Sequence, residues 1–147
     1  MEEQLVTFNL GTEEFGVDIM KVQEIIRIPA ITRVPKAPAY IEGVINLRGN
    51  IIPVVDLRTR FHMPANADTD LSRIVVLQME KRVFGVRVDA VNEVLRLSEE
   101  NIEPPPPIAV GMEEHFIRNV GKVGDRILIL INTDQIMDEE FADEIAV

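Results

Sequence analysis

Arg48 is the side chain best placed for specific chemistry. It stands at a polar corner, Arg48-Gly49-Asn50, between two largely apolar runs at residues 44–47 and 51–57. A guanidinium held at a rigid bend can grip a carboxylate through two parallel hydrogen bonds, which a lysine cannot do. Two sources of that carboxylate are open: an internal acid such as Glu24 or Asp56, or a partner protein. Covalent chemistry has less to work with, because catalysis needs a positioned base, nucleophile or metal. The chain has no cysteine, and its two histidines, His62 and His115, read as surface residues. There is no glycine-rich phosphate loop and no H-E-x-x-H. Asn66, Asp68 and Asp70 alternate as in a calcium loop, without the glycine and distal glutamate that complete one. Acids are plentiful, so a carboxylate-pair hydrolase stays open as an alternative, although no pair is singled out. The other alternative is a structural, self-associating protein. The reading is a non-catalytic binding module that needs no metal and no cofactor.

Composition narrows the partners. The chain has 147 residues, 46 % of them hydrophobic, with 25 acids against 15 bases and a net charge of −10. That balance argues against nucleic acid or an anionic membrane surface as the main partner. One tyrosine and no tryptophan leave few stacking platforms for bases. Charge is unevenly spread: residues 27–60 carry six bases (Arg27, Arg33, Lys36, Arg48, Arg58, Arg60) and two acids, Glu42 and Asp56, while the last fourteen residues carry six acids and no base. Such polarity suits a protein that meets partners through matching patches. No run reaches membrane-spanning length and no secretory signal is evident, so a cytoplasmic location is expected.

The elements that must hold Arg48 are strands. Residues 44–47 and 51–57 are too short for typical helices and rich in Val and Ile, predicting a hairpin with Gly49-Asn50 supplying the turn. Pro53 lacks a donor, so its strand is expected at an edge or a bulge. Residues 5–10 and 15–19 predict an earlier hairpin. Residues 20–28 fit helix or strand equally. Pro29, Pro35 and Pro38 break the chain into a loop, with a short helix expected at 37–43. Residues 58–71 read as a polar connection. Strands follow at 74–79 and 83–88. Pro104 to Pro107 then enforce a loop, residues 127–131 read as a fully buried strand, and 134–147 as an acidic terminal helix.

The pattern repeats. Residues 15–28 overlay 84–97 without a gap, with six of fourteen positions identical, including Phe15/Phe84, Gly16/Gly85, Glu24/Glu93 and Arg27/Arg96. Residues 41–57 fall over 117–133 with three identities, and Gly124 stands where the first copy has Arg48. The expected fold is therefore all-β: two similar small five-stranded barrels from residues 5–65 and 72–133, packed together in one domain spanning 1–147, with terminal strands free to cross over. Closing each sheet removes its unpaired edges, and neither unit is large enough to stand alone.

The central G-V-I-N-L-R-G-N-I-I-P-V-V-D-L run (43–57) resembles the signature of the CheW family of bacterial chemotaxis coupling proteins. F-G-V-D-I-M-K-V-Q-E-I (15–25), I-T-R-V-P-K-A-P (31–38) and G-D-R-I-L-I-L-I-N (124–132) extend the resemblance over essentially the whole chain. It implies a pair of five-stranded barrel subdomains and no catalytic activity. It also implies an adaptor that links the cytoplasmic tips of methyl-accepting chemoreceptors to the regulatory domain of a histidine autokinase, within the cytoplasmic signalling array. A kinase would need far more chain and a nucleotide site. Carried over residue by residue, the N-L-R-G motif places Asn46, Arg48 and Gly49 in the assembly region, and V-Q-E places Val22 and Glu24 on a receptor-associated surface. Val86 and Val88 of the second copy are expected to line the same groove. Gly124 at the place of Arg48 implies that the two copies do not offer equivalent polar contacts.

Overall fold

The structure, a computed structural model, describes residues 2–105 and 114–137. The first hairpin joins β1 (Glu2–Leu10) to β2 (Glu13–Asp18), with Phe8 opposite Phe15. The ambiguous stretch resolves into a 3-10 turn, Ile19–Lys21, and then β3 (Val22–Arg27). Asp18 starts that turn by accepting a hydrogen bond from the Met20 amide at 2.9 Å. The central hairpin is β4 (Ile41–Leu47) and β5 (Asn50–Asp56), followed by one helical turn, α1 (Leu57–Arg60). Then come β6 (Arg73–Gln78), β7 (Val83–Val88) and β8 (Ala90–Ser98). The short β9 (Ile102–Glu103), β10 (Ile117–Val123), β11 (Arg126–Ile131) and a 3-10 turn at Thr133–Gln135 complete the described chain.

Among the described residues eleven strands make two sheets, a six-stranded one ordered β8-β1-β2-β11-β10-β9 and a five-stranded one ordered β3-β6-β7-β5-β4. Matching the two repeated blocks strand by strand shows a reciprocal exchange. The six-stranded sheet takes the first hairpin of block one and the later strands of block two, and the five-stranded sheet does the reverse. The joins are parallel pairings at matched places, Gly16 beside Leu130 and Gly85 beside Val54.

Three apolar clusters follow from that arrangement. The largest is shared by both sheets and contains Phe8, Phe15, Val55, Val75, Leu77, Val86 and Phe116. A second, of Ile45, Ile52, Val54, Ile74 and Val76, lies inside the five-stranded sheet. A third, of Leu5, Leu97, Leu128 and Leu130, lies inside the six-stranded one. Central strands are thus buried on both faces: Ile74 and Val76 point into one cluster, Val75 and Leu77 into another. This is why they read as unbroken apolar runs rather than alternating ones.

Neither sheet is a closed five-stranded barrel: one is only a half-barrel and the other is open. The seam of the five-stranded sheet shows why. Its edge strands β3 and β4 are linked by a chain containing Pro29, Pro35 and Pro38, which cannot donate to a ladder. A single bridge, Thr32 to Val44, with bonds of 2.9 and 2.8 Å, draws the seam together. Gly43 permits it, since a Cβ there would stand 2.2 Å from the Thr32 carbonyl oxygen. Gly43→Ala is expected to cost about 2 kcal/mol, the scale of an overpacked site, and to lower the midpoint of urea unfolding without changing its slope.

Other expectations are corrected. Residues 37–43 are turns and the start of β4, not a helix, because pairing with β5 competes successfully and Pro38 lies outside the ladder. Pro53 is in an interior strand, yet it precedes Val54, the first residue paired with β7, so no bond to β7 is lost. Ile127 is 63 % exposed: it shares a face with Ile129 and Ile131, which pack on the shared core, but it stands at the turn end of β11, outside that cluster. Of the helix expected at 134–147, the described part is a 3-10 turn, and the rest lies outside the described residues. The proline run lies mostly outside them too.

Candidate functional site: an arginine clasp at the sheet seam

The β4–β5 turn is built on Arg48 and Gly49 rather than on Gly49-Asn50, since Leu47 pairs with Asn50. Both turn residues have positive φ, +51° and +88°. A two-residue hairpin of this hand matches the strand twist, and glycine takes the second position without strain. Asn46 secures the bend, its side-chain oxygen accepting from the Gly49 amide at 2.8 Å.

The turn carries Arg48 to Glu24 on β3, at the opposite edge of the sheet. Arg48 Nη1 donates to Glu24 Oε1 at 3.0 Å and Nη2 to Oε2, a bidentate pair across the seam. Glu24 shares its strand face with Ile26, so the clasp sits at the mouth of the inner cluster. Arg48's hydrogen bonds hold the Glu24 carboxyl below its ordinary range, outweighing desolvation, and Gln23 adds a weaker bond. The Arg48 side chain remains 66 % exposed. It therefore has a face left for a partner.

Four of the expected site residues gather here, Arg48, Glu24, Asn46 and Gly49, while the half-buried Val22, two positions before Glu24, packs against the shared core. Val86 and Val88 do not join them. They are 0 % and 1 % exposed and belong to the shared core. Burial makes them part of the scaffold rather than a binding surface.

Asp56, the other acid considered for Arg48, is engaged elsewhere. It accepts from the Arg58 amide at 3.1 Å at the start of α1 and from Arg87 at 3.3 Å. Arg87 also meets Glu42 at 2.9 Å and Asp68, so three carboxylates surround one guanidinium. Burial opposes the charge on Arg87, but Glu42, Asp56 and Asp68 together raise its pKa. Glu42 itself is raised, chiefly by desolvation. Arg58 donates to Asp89 at 2.9 and 2.5 Å, and Arg60 lies 4.1 Å over the Tyr40 ring while donating to the Ile136 carbonyl at 2.7 Å. Two of the six bases in residues 27–60, Arg58 and Arg60, are thus spent inside the fold, leaving Arg27, Arg33, Lys36 and Arg48 exposed.

One contact escaped the sequence reading. Arg126, two residues past Gly124, donates to Glu14 at 3.1 and 2.6 Å and to Glu93 at 3.4 Å. Glu93 is the repeat counterpart of Glu24. An ungapped overlay sets Glu93 beside a missing arginine, but a shift of two along a strand returns a side chain to the same face. The retained acid was the available signal.

The site is framed by a two-sheet scaffold with ionic clasps at its sheet mouths, and among the described residues no group of three or more His, Cys, Asp or Glu could hold a metal. Residues 4–141 match the family model described as CheW-like domain. The chain is 41 % identical over 137 residues to the chemotaxis protein CheW of Rhizobium meliloti, covering 93 % of this chain and 88 % of that one. To the CheW of Klebsiella aerogenes it is 38 % identical over 138 residues, covering 94 % and 83 %. The crystal structure of the scaffolding protein TtCheW from Thermoanaerobacter tengcongensis superposes with a TM-score of 0.85 at 39 % identity, over 90 % of each chain. The chain belongs to the CheW family, and its function is that of a non-catalytic adaptor in chemotaxis signalling, coupling chemoreceptors to the kinase.

Proposed function

We propose that this coupling runs through the cytoplasmic tip of methyl-accepting chemoreceptors on one side and the regulatory domain of the chemotaxis histidine kinase on the other. The protein acts in the cytoplasm, is recruited to receptor arrays, and makes no direct contact with membrane or nucleic acid. The blocks 5–65 and 72–133 act as two copies of one unit within a single domain, each completing the other's sheet. Arg48, Glu24, Asn46, Gly49 and Val22 form the contact region. The observation that carries this reading is the Arg48–Glu24 clasp, fixed in place yet largely open to solvent.

Titration calorimetry against the purified receptor tip and the kinase regulatory domain tests it directly, with binding of both expected. Glu24→Gln removes the charge that orients Arg48 and is expected to weaken receptor binding about fivefold, as for a partly exposed charged contact. Unchanged receptor affinity with a lowered melting temperature would leave Glu24 a structural role alone. The effect also has a pH signature. The Glu24 pKa is lowered by its partner, so the clasp is fully formed above the ordinary glutamate range and is lost as pH falls through the lower folded value.

A further inference from the structure

The two clasps are equivalent in place and unequal in charge. Arg48 and Glu24 close the mouth of the inner cluster of the five-stranded sheet. Arg126 lies on the same face of β11 as Leu128 and Leu130, and Glu93 on the same face of β8 as Leu95 and Leu97, so this pair closes the corresponding cluster of the six-stranded sheet. The Glu14 position is filled in the other copy by Val83, so Arg48 meets one acid where Arg126 meets two.

Around the second clasp the backbone is arranged to present it. A bulge in β1 between Val6 and Phe8 breaks the ladder to β8, and the buried Thr7 hydroxyl takes over, accepting from the Glu93 amide at 3.2 Å and donating to its carbonyl at 3.1 Å. Asn92 adds a bond to Glu14 at 3.1 Å. Exposed large apolar side chains among the described residues are Met20, Ile25, Ile51, Leu71, Val94 and Ile127. Four of these six form two repeat-matched pairs, Ile25 with Val94 and Ile51 with Ile127. One member of each pair lies at each clasp: Ile25 and Val94 directly follow Glu24 and Glu93, and Ile51 and Ile127 stand two residues beyond the turns. Solvent-facing isoleucine and valine thus recur at matched places beside the ion pairs of both copies.

We infer that Arg126 is a positioning residue of the adaptor. By tying Glu14 on β2 to Glu93 on β8, it sets the β10–β11 turn and the exposed Ile127 and Val94 for partner binding. This rests on the coupling role proposed above. Lysine cannot span two carboxylates on separate strands with one ammonium.

The test compares Arg126→Ala, Glu14→Gln/Glu93→Gln, and the triple variant in the full chain, with Arg48→Ala alongside. Affinities for the receptor-tip and kinase regulatory-domain fragments are measured together with amide hydrogen exchange at Gly124 and Asp125. Arg126→Ala is expected to weaken at least one fragment about tenfold, within the range of mutations that act through a shared network, and to speed exchange at the turn. The acid-side variant is expected to do the same, and the triple variant to add nothing further. If freeing Arg126 by removing both acids preserved or strengthened binding, Arg126 would be a direct contact and the positioning role would be overturned. Faster exchange with unchanged affinities would reduce it to a structural pair, and unchanged exchange would overturn it whatever the affinities. An inert Arg48→Ala would count against the coupling reading, while the exchange rates still decide whether Arg126 positions the turn.

Discussion

Arg48→Lys is expected to fail in assembling active receptor–kinase complexes nearly as completely as Arg48→Ala, with about a tenfold loss of receptor-coupled kinase activation in each. The reason is the fork. Two nitrogens of Arg48 engage two oxygens of Glu24 across the seam, while the exposed remainder of the guanidinium stays available. An ammonium keeps the charge but neither the planar geometry nor the second bond. Both variants should fold, because Arg48 contributes no core volume. Arg48→Gly adds a control, since the left-handed backbone at this position suits glycine better than any side chain. It should fold at least as well as the parent and still fail in assembly. Reconstituted kinase assays with circular dichroism on the same samples check this. Activation by Arg48→Lys at the parent level would make Arg48 a point charge, and unfolding of all three variants would make it a scaffold residue.

The second large effect is expected away from the clasp. Arg87→Met leaves Glu42, Asp56 and Asp68 facing one another in a partly enclosed site, with the Arg87 side chain only 15 % exposed in the parent. Removing one member of such a network strands the remaining charges, at a cost of about 3 kcal/mol. For a domain of this size that corresponds to a fall of roughly 10 °C in melting temperature. The deficit should depend on pH. Burial already raises the Glu42 pKa, and losing Arg87 removes the charge that pulls it down while Asp56 and Asp68 still push it up. A carboxylate whose folded pKa exceeds its unfolded one costs nothing when both states are protonated and costs most when both are ionised. The variant should therefore lie nearest the parent below the ordinary glutamate range and fall furthest behind at neutral pH. Thermal melts across that interval decide it. A deficit that shrank as pH rose would rule out stranded carboxylates as the cause.

Both effects turn on pairings that differ in how far the amino-acid order reveals them. The amino-acid order offers Arg48 two acids, Glu24 and Asp56, and Glu24 recurs at the matched place as Glu93. The choice against Asp56 needed the curl of the sheet, which brings edge strands together that lie far apart in strand order. Arg87 carried no signal at all. Its three acids come from β4, the end of β5 and the loop before β6, which only packing assembles.

By itself the sequence determined most of the strands, the all-β class, the internal repeat, a bend within residues 48–50 and the family. These are local properties: residue periodicity, proline and glycine placement, and contiguous motifs survive in one dimension. Only the tertiary structure decided which strands share a sheet, and it exchanged them between the repeats, so that two open or half-closed sheets stand where two closed barrels were expected. It also decided that Val86 and Val88 are core and Ile127 is surface, and that Arg126 forms the ion pair for which Gly124 has no side chain. The physical reason is common to all of these. An apolar strand states that a face must be buried but not against which neighbour, and a charged side chain does not name the distant residue that will lie within its reach.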